Sequence, residues 1–130
     1  MFTREQALDI LYEFTASESL RRHALAVETA MRACALRYEG DVEEWGIVGL
    51  LHDFDYEAYP SAEQHPFVGN RILGERGVSD VIRRAIMSHA DYTGVTRESM
   101  MEKSLFAVDE LCGFILAVAY VRTEKRIAEV

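Results

Sequence analysis

Proline occurs twice in this chain, glycine eight times and cysteine twice, and each shortage rules something out. So few helix breakers exclude a loop-rich or collagen-like chain, and abundant Ala, Leu, Glu and Arg favour helices throughout. Cys34 and Cys112 form no C-x-x-C pair, which excludes a thiolate zinc site and a disulfide scaffold. Both fall on apolar helical stripes and read as buried free thiols, suited to a reducing compartment. No apolar run is long enough to span a membrane, and the start Met1-Phe2-Thr3-Arg4-Glu5 has no signal-peptide character. A cytoplasmic location without a membrane partner is therefore expected. Positive charge is short as well: 14 basic against 22 acidic residues leave −8, which argues against a nucleic-acid polymer as partner. A small phosphorylated molecule stays compatible, because a bound cation reverses the local field.

What the chain does have is helical periodicity. Its 130 residues and 49% apolar content suffice for one soluble core, so a single domain over residues 1–130 is expected. Strand alternation, internal repeats and low-complexity segments are absent, and the fold class is all-α: a compact bundle of about six helices. The first runs from Arg4 to Phe14 behind a Thr3/Gln6 capping box. The second starts near Ser17 or Ser19 and reaches about Tyr38, closed by Gly40, with Leu20, His23, Val27, Ala30, Met31 and Cys34 inward. The third begins at Asp41, with Glu44 reaching back, and ends at His52-Asp53; Gly46 and Gly49 on one side would admit a neighbouring helix. A loop from Phe54 to Gln64 leads to His65-Pro66 at the mouth of the fourth helix, which stops at Gly74 to Gly77. The fifth is capped by Ser79 and terminates in His89. A second loop, Ala90 to Glu98, precedes a sixth helix from the Ser99/Glu102 capping box to about Arg122, with Leu105, Asp109, Cys112 and Leu116 inward.

Several polar groups break these apolar patterns. His23, His52, Asp53, His89 and Asp109 lie on core faces or inside apolar runs, and His65 lies at a helix start. These include every histidine in the chain. Any one of them alone reads as a hydrogen-bonded core residue or a helix cap. Together they would be a heavy load, because each unpaired buried polar group costs several kcal/mol against a total stability of roughly 5–15 kcal/mol. A shared metal site resolves them at once, since a cation turns the penalty for burying Asp53 into an attraction.

His23, then His52-Asp53 after an apolar helix, then Asp109 in "AVDEL" resembles the HD-domain superfamily of metal-dependent phosphohydrolases. "HPFVGNRIL" from His65 and "IMSHAD" around His89 resemble the pattern of its two-metal members. The resemblance covers about Ser19 to Arg122 and implies an all-helical fold holding one or two divalent ions. It implies His23, His52, Asp53 and Asp109 around the first ion, and His65 and His89 around the second, with Asp53 bridging. Many members continue for further helices, whereas this chain ends about twenty residues after Asp109. That leaves the pocket more open or closed by another subunit, and a homo-oligomer is an open expectation.

Imidazole and carboxylate ligands suit Fe, Mn, Zn, Ni, Co or Mg and do not name one metal. The expected activity is hydrolysis of a small phosphomonoester or nucleotide-type phosphodiester by hydroxide formed on the ion, with Asp53 central to the chemistry. Lys103 is a candidate to neutralise a phosphate, although a solvated lysine fits its place off the Asp109 stripe better. Asp55, Tyr56 and Glu57 follow the His-Asp pair and are candidates to line the entrance or act as general acid, Glu57 first among them; loop surface is the alternative. Two other readings stand beside the hydrolase. One is a di-iron HD-type oxygenase, and the other is a binding or regulatory module that keeps its metal for structure.

Overall fold

The computed structural model describes residues 2–121, with side chains through residue 119. Within them the chain forms six α-helices and no strand: α1 (Arg4–Phe14), α2 (Glu18–Arg37), α3 (Val42–Leu51), α4 (Phe67–Glu75), α5 (Asp80–Ser88) and α6 (Met100–Val121). A single 3₁₀ turn at Asp91–Thr93 interrupts the second loop. The expected end of the last helix at Arg122 lies outside the described residues. None of the described helices is long and apolar enough to cross a membrane.

Local chemistry sets the helix starts. Thr3 and Gln6 exchange both bonds of a capping box, Ser17 caps α2, and Ser79 caps α5. Ser99 and Glu102 close the box at α6, where the Glu102 carboxylate accepts the Ser99 N–H at 2.9 Å and Ser99 Oγ accepts the Glu102 N–H at 3.1 Å. Asp41 caps α3 by accepting the Glu44 N–H at 3.1 Å, but the Glu44 side chain does not return the bond. At the end of α2 the left-handed residue is Glu39, with φ 58°, and Gly40 donates its N–H to the Ala35 carbonyl at 2.8 Å. Gly40 is needed for space instead: a Cβ there would lie 2.5 Å from the Trp45 indole.

α3 is the axis of the bundle. Trp45 through Leu51 are buried on every side of it, and it touches α1, α2, α5 and α6. Gly46 and Gly49 permit the closest of these approaches, because a Cβ on Gly49 would meet the Glu28 Cα at 2.8 Å and the Val27 carbonyl at 2.9 Å. Buried Glu28, on the α2 side of that contact, takes Arg4 at 2.6 Å and Arg32 at 3.0 Å. Cys112 is buried, whereas Cys34 is only half-buried; both are free thiols.

The chain leaving α3 is tied down at once. Thr15 Oγ1 donates to the Phe54 carbonyl at 2.9 Å, and the Phe14 and Phe54 rings meet edge-on at 5.4 Å. These contacts fix the direction in which His52 and Asp53 leave the helix. Gly49→Ala should force α2 and α3 apart and destabilise the fold by about 1–3 kcal/mol. Gly113→Ala, whose Cβ would meet nothing closer than His23 Cε1 at 3.9 Å, should be neutral or stabilise by about 1 kcal/mol. Urea midpoints of the two variants check the contrast.

Candidate metal centre

The ends of α3 and α5, the start of α4 and the inner faces of α2 and α6 deliver the misfit side chains to one place. His52 is the C-cap of α3 and His89 the C-cap of α5, while His23 comes from α2 and Asp109 from α6. His65 precedes the Pro66 N-cap of α4. His23 Nε2 lies 2.7 Å and His52 Nε2 3.1 Å from Asp109 Oδ1. Asp53 turns Oδ2 toward His52 Nε2 at 3.4 Å and Oδ1 toward both His65 Nε2 and His89 Nε2 at 3.1 Å. Two clusters result, His23/His52/Asp53/Asp109 and Asp53/His65/His89, each with ligand atoms within 4.8 Å of one another. Bonds of about 2.0–2.2 Å place opposite ligands of one ion roughly 4.4 Å apart, so small side-chain shifts would close either cluster on a cation. The two clusters share Asp53, one oxygen facing each.

The ring nitrogens test whether a cation fits. His52 Nδ1 lies 2.7 Å from the Gly49 carbonyl, and His89 Nδ1 is bonded to the Ile86 carbonyl. Carbonyls only accept, so both Nδ1 atoms carry the proton. In the neutral rings Nε2 then holds a lone pair, and that lone pair faces a carboxylate. His65 repeats the arrangement with Nδ1 2.6 Å from Asp55 Oδ1. Lone pair against carboxylate is repulsive unless positive charge stands between them. The donor set therefore fits a divalent ion in each cluster.

A proton can serve in the same place. Burial alone would lower the His52 pKa, yet Asp53 and the hydrogen-bonded Asp109 raise it to about 9. Burial is likewise overcome at His65, which Asp53 and Asp55 raise to about 9. Against the opposing effect of burial, the imidazoles in turn hold Asp53 and Asp109 below the ordinary carboxylate range.

The structure does not bring the other candidates into either cluster. Both Glu57 oxygens accept backbone N–H groups, from Ala16 at 2.7 Å and Ser17 at 2.8 Å, and these bonds lower its pKa. It fastens the loop to the α1–α2 junction, and a carboxylate so held is a poor general acid. Lys103 is exposed in the first turns of α6. Asp55 lies inside the site instead of lining its entrance, since it is 1% exposed and bonded to His65 from behind. Its neighbours from Phe54 to Gln64 read as an ordinary polar loop, so its place after the His-Asp pair marks Asp55 as a candidate without showing that it is buried behind His65. Tyr92, in the second loop, donates its hydroxyl to the His65 carbonyl at 2.5 Å and was not legible from sequence.

A sequence model of the HD domain matches residues 20–112, a span that contains all six clustered residues. No curated protein and no solved structure matches the chain.

Divalent ions displace the protons on His52 and His65, so apparent metal affinity should rise with pH up to about 9. Calorimetric heats should then vary with the ionisation enthalpy of the buffer. In chelator the sign reverses. The stability these raised histidines contribute is complete below about 6.5 and lost as pH climbs through about 9, so the melting temperature should fall across that window. Asp53→Asn removes the shared carboxylate. Wild type should gain about 2.7 kcal/mol at an ion concentration 100 times the dissociation constant, and the variant little or nothing. Melting curves with and without Mn²⁺ compare them.

Proposed function

The chain belongs to the HD domain family, and we propose that it is a metal-dependent phosphohydrolase acting on a small phosphomonoester or a nucleotide-type phosphodiester. The observation that carries this reading is the Asp53 carboxylate, which turns Oδ2 to one ligand cluster and Oδ1 to the other. A divalent ion bound there acidifies its water and offsets charge on the phosphate oxygens.

The chain's own residues have three roles in this reading. Asp53 and Asp109 orient the imidazoles and supply the negative charge that attracts cations into a half-buried site. Gly49 and Ile86, through their carbonyls, keep the Nε2 lone pairs of His52 and His89 turned inward. Apolar α3, buried around Trp45 to Leu51, excludes water from the back of the site. Three aromatic residues around His65, Tyr56, Phe67 and Tyr92, are exposed and available to a substrate. Neither Glu57 nor Lys103 enters the reading, because one is committed to the backbone and the other is solvated.

Elemental analysis of the purified protein and a screen of phosphorylated metabolites test it together. Divalent metal and either phosphate release from a monoester or cleavage of a diester to a monoester are expected, with turnover lowered at least about 100-fold in His52→Ala and Asp109→Asn, a loss beyond that typical of outer partners. Two irons with a visible chromophore and no hydrolysis of either ester class would replace the hydrolase with an oxygenase. Bound metal with neither activity would leave a binding or regulatory module.

A further inference from the structure

His65 is the ligand that helices hold least, and the reason lies in which end of a helix it occupies. His52 and His89 cap helix C-termini, where carbonyls three residues back are free to take the Nδ1 proton. His65 precedes a helix N-terminus, where only N–H groups are free. An adapter that accepts on both sides is required there, and Asp55 is that adapter. Its Oδ1 lies 2.6 Å from His65 Nδ1, and its Oδ2 accepts the Gly69 N–H at 2.9 Å. Gly69 is the third residue of α4, and the Pro66 N-cap offers no side-chain cap of its own. The carboxylate therefore caps α4 from the preceding loop while it fixes the His65 tautomer. Its seat exists only because residue 69 lacks a side chain. A Cβ there would stand 2.6 Å from Asp55 Oδ2 and 3.0 Å from Phe54 Cε1.

We propose that Asp55, seated on the Gly69 amide, is a positioning residue that sets the affinity of the Asp53/His65/His89 cluster for its ion. Whether the chain holds two ions or one is then decided by a side chain that touches neither. The inference rests on the two-cluster metal reading of the proposed function. Its physical basis is that a carboxylate on Nδ1 both aims Nε2 and makes it a stronger donor, an effect worth roughly 10–100-fold in metal affinity. The backbone carbonyls behind His52 and His89 are fixed by the helices; the partner of His65 is a side chain, and substitution can remove it.

Asp55→Asn separates positioning from capping. Its amide oxygen can still cap Gly69, but its NH₂ then faces His65 Nδ1 and favours the tautomer with the proton on Nε2. Gly69→Ala displaces the same carboxylate from α4 without altering it. Titration with Co²⁺, followed by visible absorption, reads the two sites in the wild type, in both variants and in His65→Ala. In Asp55→Asn and Gly69→Ala the second dissociation constant should rise roughly 10–100-fold while the first stays within about threefold. Melting in chelator reports folding separately, and Gly69→Ala keeps the test open should Asp55→Asn fail to fold. An unchanged second constant in both variants overturns the inference. So does an equal loss at both sites, which would mark Asp55 as merely structural. If wild type and His65→Ala bind the same number of ions, the two-ion reading itself falls, and this inference with it.

Discussion

Asp53 lies among the imidazoles of His52, His65 and His89, and its carboxylate is held below its ordinary range by them. Such a group is tolerable in a half-buried setting only while positive charge surrounds it, whether protons on imidazole or divalent ions. Much of the architecture serves that condition. α3 must be apolar on every side to carry His52 into the interior, and Gly49 must lack a side chain so that α2 can bring His23 alongside. Thr15 and Glu57 then hold the outgoing loop, which keeps Asp53 at the shared position and returns the chain to His65.

The four imidazoles are an edge-to-face series, His23 to His52 at 5.2 Å and His52 to His89 and His89 to His65 at 5.4 Å. Helix polarity explains how the inward nitrogens of His52, His89 and His65 are chosen. A histidine at a C-terminus finds a carbonyl for Nδ1 in its own helix, so its orientation needs no further residue. At an N-terminus the backbone offers the opposite polarity, and a carboxylate must intervene. Asp55 meets both demands there, and its burial follows from that double bond to His65 and Gly69.

Features that depend on residues close in sequence were legible. The capping box at Thr3, the caps at Ser79 and Asp41, and the Ser99/Glu102 box are decided within four residues. Polar residues interrupting an apolar period were legible for the same reason: His23, His89 and Asp109 stand out against their own helices, and the structure brings them together. Features settled by distant neighbours were not. Glu28 is buried because Arg4 crosses from α1, and nothing in "AVETA" announces that. Asp55 sits in a loop of polar and aromatic residues, and its burial is set by the passage of Gly69, fourteen positions on. At the end of α2, Gly40 reads from sequence as the residue that closes the helix, but the positive φ belongs to Glu39 and the glycine makes room for Trp45.

Charge balance connects the second cluster to recognition. Asp53, Asp55 and Asp109 bring three negative charges to the site, in a chain whose net charge is −8. One divalent ion leaves that set negative, and a phosphate approaching it meets repulsion from the site as well as from the surface. Two divalent ions reverse the sign and make the site a place on an acidic protein that draws an anion inward. Protons on His52 and His65 achieve near-neutrality at most, and only below about pH 9. In the proposed hydrolase, an ion in the Asp53/His65/His89 cluster would therefore favour the approach of a phosphate as well as lend charge to the chemistry. On that reading Asp55, bonded to His65 Nδ1 and to the Gly69 N–H, would influence phosphate binding from behind the ligand.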